Sequence, residues 1–299
     1  MRYATAGAFR AALEARLKDE RSDGVGLSRL RKRIVFERLL ARLQVVAPDA
    51  WLLKGGFALE LRLGVRARTT KDVDIDWAVG EEQATELLLD AAALEMDDMF
   101  SFDVQRAAMD DDLAGGGQRW TVRAELAGRD FERVAIDVGF GKPPVVEPVT
   151  LTASRLLEFA EITSIVVPAL AVEQHLAEKL HAYSRTYAGG QPSSRVKDLV
   201  DIVVIAHTTT VDEERLRRAV AAIFERRDTH EPPQALASPP RDWVRPWATL
   251  VEHLPADADL ASGFSVAATF WDPVLAGETG LVEWNPELLV WSSAEPSGS

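Results

Sequence analysis

The amino-acid sequence predicts an α/β domain over residues 1–168 and a mainly helical domain over residues 169–299. Before Pro168, short apolar runs with strand-like alternation are interspersed with segments whose apolar residues recur at helical spacing. Pro143, Pro144 and Pro148 mark a break near the end of the segment of mixed strands and helices. From Ala169 onwards, helical periodicity dominates. Mixed elements before the break and helices after it indicate two domains of different class.

Each element has its own local signal. The first two helices are amphipathic, the third follows a glycine pair and stops at Gly64, and the fourth follows Gly80. A glycine turn at residues 115–117 separates two alternating strands, and the acidic run at 110–112 favours a loop. The predicted helices cover residues 4–18, 27–46, 57–63, 81–94, 171–188 and 195–207, and the predicted strands cover 51–53, 72–77, 100–107, 120–126, 131–140 and 162–167.

Composition restricts the function classes. The chain has 299 residues, a net charge of -13 and no cysteine, which excludes disulfides, thiolate metal sites and a cysteine nucleophile. No signal peptide and no membrane-spanning run is evident, so we expect a cytoplasmic protein without a membrane partner. The negative charge argues against broad nonspecific nucleic-acid binding. Two basic segments are either solvated helix faces or RNA contacts: Arg29, Arg31, Lys32, Arg33, Arg38 and Arg42, then Arg215, Arg217, Arg218, Arg226 and Arg227.

The densest chemistry lies in residues 51–79, WLLKGGFALELRLGVRARTTKDVDIDWAV. A short strand leads into Gly55 and Gly56, where the start of a helix can accept a triphosphate on its backbone N–H groups. In the next strand Asp72, Asp74 and Asp76 share one face, with neighbouring acids roughly 6.5–7 Å apart along the strand. Carboxylates at this spacing suit Mg²⁺, which binds to one or two of them together with substrate phosphates.

Three further residues carry charge in apolar surroundings. Asp137 lies within FERVAIDVGF, where a carboxylate is costly unless it is paired or metal-bound; the alternative is a partly exposed acid on a half-buried strand. Asp201 lies in an apolar helix, and Lys179 borders the apolar stripe of the preceding one. We predict that Lys179 and Asp201 form an ion pair, which is either functional or a structural link between two helices.

Two motifs carry a family resemblance. The run KGG, a helix, and then R-x-T-x-D-x-D with Arg68, Thr70, Asp72 and Asp74 resembles the nucleotidyltransferase signature of the polymerase-β-like superfamily. More narrowly, it resembles the AbiEii/MenT-like toxins of bacterial type IV toxin–antitoxin systems. Their helical lysine followed by R-x-x-D-x-x-D is matched by Lys179, Arg195, Asp198 and Asp201. The resemblance extends from Leu52 to about Ile205.

The resemblance implies a polymerase-β-like nucleotidyltransferase domain with a mixed sheet, followed by a helical domain that contributes active-site residues. Asp72 and Asp74 would bind Mg²⁺, as two ions, together with the nucleoside triphosphate (NTP). Asp137 would position a metal or accept a proton, and Lys179 and Asp201 would be essential partners in catalysis. The NTP would be bound by Lys54, Gly55, Gly56, Arg68, Thr70, Arg195 and Asp198.

The leading functional hypothesis is therefore a Mg²⁺-dependent toxin that transfers NMP from an NTP to RNA. The expected acceptor is the 3′ end of tRNA, and its modification would block translation and growth. A cognate antitoxin encoded nearby is the expected partner. One alternative is nucleotidylylation of a protein or of a small molecule such as an aminoglycoside. Another is a noncatalytic interaction protein whose acids are structural.

Overall fold

The computed structural model describes residues 1–20, 26–107, 117–140, 143–185, 195–256 and 258–293. The predicted loop at residues 110–112, the turn glycines 115 and 116, the end of the helix predicted to reach 188, and the last six residues lie outside these ranges. The chain divides into two compact units. The first consists of Met1–Arg62, Thr69–Pro143 and Pro148–Ala169, and the second of Leu63–Arg68, Pro144–Glu147 and Leu170–Ser299.

The first unit is built on a mixed seven-stranded sheet in the order β3-β4-β5-β2-β1-β7-β6. Its strands are β1 (Trp51–Lys54), β2 (Asp72–Trp77), β3 (Phe100–Arg106), β4 (Gln118–Leu126), β5 (Arg129–Phe140), β6 (Val149–Thr152) and β7 (Val166–Ala169). β2 runs parallel to β5 and β1 parallel to β7, whereas the other neighbours are antiparallel. Four helices accompany the sheet: α1 (Ala6–Glu20), α2 (Leu27–Val46), α3 (Gly55–Leu63) and α4 (Glu81–Ala93).

Alternation along the strands separates an apolar face of the sheet from a polar one. In β2, Val73, Ile75 and Trp77 are buried, while the three acids between them are partly exposed. The same alternation runs along β4 and through most of β5. The apolar face joins a core that includes side chains from α1, α2 and α3, so the polar face of the central strands remains for chemistry.

Arginines of the first basic segment form ion pairs within the protein. Arg42 is fully buried, donates two hydrogen bonds to Asp98 at 2.7 and 2.8 Å, and contacts the carbonyl oxygen of Phe100. Arg38 is also buried, and burial lowers its pKa. Three other arginines of the segment form ion pairs with glutamates: Arg29 with Glu60, Arg31 with Glu14 and Arg33 with Glu37. Both interpretations from the sequence, a solvated face and an RNA contact, are therefore wrong for Arg38 and Arg42.

The second unit contains helices and a small sheet. The helices are α5 (Val172–Ser184), α6 (Val196–Ala206), α7 (Glu213–Arg227), α8 (Val244–Val251) and α9 (Leu260–Leu275). The sheet has the order β10-β9-β8, with β8 (Val211–Asp212), β9 (Leu281–Asn285) and β10 (Val290–Ser293). Trp247, Trp271 and Trp284 are buried here, and the indole of Trp284 donates to the carbonyl oxygen of Ala206 at 2.8 Å.

Part of the second basic segment also has structural contacts. Arg217, in α7, donates to the carbonyl oxygens of Val274 and Glu278 at 2.7 and 2.6 Å. Arg215 lies 3.5 Å from a carboxylate oxygen of Glu173. These two arginines tie α7 to other elements of the second unit. Among the described helices, none is long and apolar enough to cross a membrane.

One predicted strand has substantially different bounds in the structure, and four strands were not predicted. The last strand of the first unit begins at Val166 rather than at residue 162, because its pairing with β6 starts where Val166 lies opposite Thr152. Pro168 lies inside β7, opposite Thr150, instead of following the strand. β6 was not predicted, and neither was the three-stranded sheet. Its strands are two to five residues long.

Candidate active site

An acidic face on the first unit is formed by two parallel strands. Asp72, Asp74 and Asp76 project from β2 on the face opposite the buried Val73 and Ile75. The register of β2 and β5 pairs Asp74 directly with Asp137. Since paired residues on neighbouring strands share a face with Cβ atoms about 5 Å apart, Asp137 joins the same acidic face. The structure therefore brings together the three carboxylates predicted to form the metal site.

The pairing continues into a row of charged residues across four strands. Lys54 of β1 is opposite Asp74, and Arg119 of β4 is opposite Asp137. Along the row the charges are positive, negative, negative and positive. Lys54, Asp74, Asp137 and Arg119 thus form a cross-strand arrangement with two acids at its centre.

Arg119 is the functional candidate that the sequence analysis missed. Its Nε and Nη2 donate to the two carboxylate oxygens of Asp137 at 2.7 and 2.6 Å, and Nη2 lies 3.5 Å from Asp72 Oδ2. One guanidinium therefore contacts carboxylates from two strands. The signal in the sequence was the alternation of QRWTVRAEL, which places Arg119 on the face opposite the core. The alternation does not reveal which residue of which neighbouring strand lies opposite Arg119, because that is set by long-range strand pairing.

At the other end of the row, Lys54 is bound to Asp76. Its Nζ lies 2.5 Å from Asp76 Oδ1. Gly139 leaves room for this pair, because a Cβ at that position would lie 2.2 Å from the same oxygen and 3.6 Å from Lys54 Nζ. The assignment of Lys54 to the NTP stays a prediction. In this structure its ammonium neutralises the third acid of β2.

Gly55 and Thr70 position the carboxylates of Asp74 and Asp72, respectively. Gly55 begins α3 with φ +65°, and a Cβ there would lie 1.8 Å from Asp74 Oδ2. Asp74 therefore packs against backbone that no other residue type would leave accessible. The Thr70 hydroxyl, which is buried, lies 3.0 Å from both the carbonyl oxygen and Oδ1 of Asp72. This contact orients Asp72, whereas a role for Thr70 on the triphosphate stays a prediction.

The carboxylates of the acidic face suit a divalent metal ion that is also coordinated by phosphates of the substrate. Among the described residues, no group of three His, Asp or Glu side chains is arranged to hold a metal. Mg²⁺ does not require one, because it commonly takes one or two carboxylates and completes its shell with phosphates and water. Asp72 and Asp74 meet that requirement, with hard oxygen donors on one partly exposed face. Asp137 is held by Arg119, so its assignment as a metal ligand stays a prediction.

A second charged cluster lies in the second unit. Lys179 Nζ is 2.6 Å from Asp201 Oδ2 and 3.2 Å from Asp198 Oδ1. Arg68 binds Asp201 through two hydrogen bonds, at 2.8 and 2.9 Å. The predicted pair between Lys179 and Asp201 is confirmed. The predicted NTP-binding residues Arg68 and Asp198 are both in contact with it, and Arg195 immediately precedes α6.

Burial and charge oppose each other in this cluster. Burial lowers the pKa of Lys179, but the Asp201 and Asp198 carboxylates outweigh it and the net shift is upward. Burial raises the pKa of Asp201, yet Lys179 and Arg68 lower it overall. Both groups are therefore charged at neutral pH. Asp198 Oδ2 is buried without a hydrogen-bond partner among the described residues, which leaves an acceptor for another group.

Comparison with known proteins gives one family and one informative fold match. Residues 38–269 match the model of the family described as nucleotidyl transferase AbiEii toxin, type IV TA system. The fold is similar to the nucleotidyltransferase toxin MenT4 of Mycobacterium tuberculosis H37Rv, with a TM-score of 0.59, 18% identity and 89% of each chain covered. JHP933 of Helicobacter pylori has a TM-score of 0.48 and 16% identity over 83% of this chain and 95% of its own. No curated protein matches the sequence.

The family match spans most of the chain, including both charged clusters and the elements that position them. The similarity in fold to MenT4 agrees with the mixed sheet of the first unit. The protein is therefore a nucleotidyltransferase and belongs to the AbiEii family of type IV toxins.

Proposed function

We propose that this toxin transfers NMP from an NTP to RNA in a Mg²⁺-dependent reaction, and that the acceptor is the 3′ end of tRNA. The observation that carries the proposal is the packing of Asp74 against Gly55, which places a carboxylate beside a helix start. A metal-binding acid and a phosphate-binding backbone thereby meet at one point. Modification of the acceptor end would block translation and slow growth.

Asp72 and Asp74 are the residues that would hold Mg²⁺. When bound, the metal would polarise the α-phosphate and offset the charge of the leaving pyrophosphate. Thr70 keeps one Asp72 oxygen in place through its hydroxyl. Gly55 and Gly56 present the first N–H groups of α3, and the helix dipole favours anionic phosphates there. Asp137 would accept the proton of the attacking hydroxyl or orient a neighbouring group.

The roles of Lys179 and Asp201 in catalysis rest on the family resemblance. Within their own unit, two cations and two carboxylates form a charge-balanced cluster, and one carboxylate oxygen is left without a partner among the described residues. Buried ion pairs contribute little net stability once desolvation is counted. A contribution to catalysis accounts for a buried cluster that adds little net stability. Arg68, Arg195 and Asp198 remain proposed NTP-binding residues.

The proposed partner is supported by family membership, whereas the proposed acceptor is argued from the charge of the chain. A type IV toxin implies a cognate antitoxin and an NTP substrate. The net charge of -13 disfavours indiscriminate RNA binding, so a defined RNA end is a more suitable acceptor than bulk RNA. Transfer to a protein hydroxyl or to a small molecule would use the same metal and phosphate chemistry. Only the fate of the label distinguishes these acceptors.

The test is transfer of label from each [α-³²P]NTP, with Mg²⁺, to total tRNA and to protein. Asp74→Asn removes one metal-binding oxygen at constant size. Asp103→Asn is the matched control, because Asp103 is an exposed acid on the edge strand β3 that is paired with Arg123, away from Asp72, Asp74 and Asp137. We expect label in tRNA with the wild type and with Asp103→Asn, and none with Asp74→Asn. Label confined to protein would change the acceptor, and no label with any NTP would refute the proposal.

A further inference from the structure

We infer that Arg119 is a resident counter-ion of the acidic face, which a divalent cation must displace before Asp72 and Asp137 can act as ligands. This inference rests on the proposed function of the same site. It assigns a role to an arginine outside the two sequence motifs. It also explains how three carboxylates on one face avoid forming a preassembled three-ligand site.

The geometry shows how one side chain occupies two acids. The Asp137 carboxylate, which is 13% exposed, accepts a hydrogen bond from Arg119 on each of its oxygens. The same Nη2 lies 3.5 Å from Asp72 Oδ2. The planar fork of arginine suits this two-pronged contact, which a lysine ammonium cannot reproduce. With the guanidinium in place, both Asp137 oxygens already have a cationic partner.

The strength of the contact makes displacement feasible. The Arg119 side chain is 34% exposed, and that of Asp72 is 35% exposed. Exposed ion pairs contribute about 1 kcal/mol or less, because water screens them and long side chains lose entropy; the two-pronged contact to Asp137, which is only 13% exposed, places this pair at the upper end of that range. A divalent cation carries twice the charge of the guanidinium and coordinates oxygen directly. Arg119 therefore weakens metal binding without preventing it.

The inference makes a directional prediction about metal affinity. Arg119→Gln removes the competing charge and the fork, so Mn²⁺ should bind about fivefold more tightly in the absence of NTP. Arg119→Lys keeps the charge but loses the two-pronged contact, and its affinity should fall between those of the wild type and the Gln variant. Arg123→Gln is the matched control, because Arg123 lies on the same face of β4 and pairs with Asp130 and Glu125.

The experiment is Mn²⁺ binding to the full chain, followed by electron paramagnetic resonance of the free ion, with thermal unfolding to show that each variant is folded. Asp74→Asn is included to identify the site. We expect tighter binding in Arg119→Gln, intermediate binding in Arg119→Lys, no change in Arg123→Gln and loss in Asp74→Asn. This pattern would establish direct competition between Arg119 and the metal.

Other patterns separate two kinds of failure. If Asp74→Asn binds Mn²⁺ as the wild type does, the metal site of the proposed function is wrong, and the inference fails with it. If Asp74→Asn loses binding but Arg119→Gln is unchanged or weaker, the inference alone is overturned, and weaker binding would mean that Arg119 orients Asp137 as a ligand. If Mn²⁺ binds more tightly to Arg119→Gln but not to Arg119→Lys, the effect of Arg119 is that of its positive charge alone. The two-pronged contact would then not matter, and the inference would be overturned.

Discussion

Substitution of Gly55 by alanine tests the link between the glycine pair and the acidic face. The added Cβ would lie 1.8 Å from Oδ2 and 2.5 Å from Cγ of Asp74. Because carbon and oxygen atoms pack at about 3.5 Å, the carboxylate would have to move by about 1.7 Å. A displacement of that size can reduce the rate of an enzyme about 100-fold, since reacting groups tolerate little misplacement.

Backbone strain must be separated from displacement of the carboxylate. Gly128→Ala is the matched control, because Gly128 has φ +64° and nothing within 4 Å of the position of its Cβ. Both variants place alanine in the left-handed region, which costs about 1–2 kcal/mol. That loss corresponds to a fall in Tm of about 2–8 °C. We therefore expect the same loss from backbone strain in both variants, and an additional loss in Gly55→Ala from the clash with Asp74.

The assay compares the rate of NMP transfer and the affinity for Mn²⁺ across the wild type, Gly55→Ala and Gly128→Ala. Both quantities should fall at least about tenfold in Gly55→Ala and stay near the wild-type values in Gly128→Ala. Equal transfer rates in the two variants would refute the reasoning. So would an unchanged Mn²⁺ affinity in Gly55→Ala, because Asp74 would then not have moved.

Three further changes test other contacts. Asp201→Asn should lower the free energy of unfolding by about 3–5 kcal/mol in urea denaturation, because it leaves Lys179 buried with less compensating charge; a loss below about 1 kcal/mol would contradict this. Thr70→Val should weaken Mn²⁺ binding about fivefold without NTP, because Asp72 loses its hydroxyl contact, whereas unchanged binding would leave Thr70 only a phosphate role. Burial, reinforced by nearby cations, lowers the pKa of His181 to about 4, so the unfolded chain alone gains this proton as pH falls below about 6.5. Stability should therefore decrease between pH 6.5 and 4, and less steeply in His181→Gln; equal pH dependence would refute this assignment.

Local patterns in the sequence predicted much of the first unit and one pair in the second. Strand alternation placed Asp72 and Asp74 on one face, because the two-residue period is fixed by the backbone. Helical periodicity placed Lys179 and Asp201 towards each other, because each lies on the apolar stripe of a helix and a buried charge requires a partner. These inferences needed only neighbouring residues.

Contacts that depend on strand register could not be predicted from local sequence patterns. Arg119 and Asp137 meet because β4 and β5 pair in one particular register, and a shift by one residue would place them on opposite faces. The pairing of Asp74 with Asp137 depends likewise on β2 lying beside β5, some 60 residues later in the chain. In the three-stranded sheet, β8 pairs with β9 across a longer stretch of sequence, from Val211 to Trp284, and the strands are too short to show a clear alternation.

The charge balance of the acidic face accounts for its chemistry. Four carboxylates lie on neighbouring positions of β2 and β5, and two cations, Lys54 and Arg119, pair with them from the flanking strands. Together these six side chains have a formal charge of -2, which one divalent cation would balance. Arg119 contacts both Asp137 and Asp72, so a metal that binds to Asp72 and Asp74 must displace its guanidinium from Asp72. Two carboxylates alone bind Mg²⁺ weakly, and the remaining oxygens must come from a triphosphate. Metal and nucleotide should therefore bind cooperatively, with the start of α3 holding the phosphates that complete the metal site.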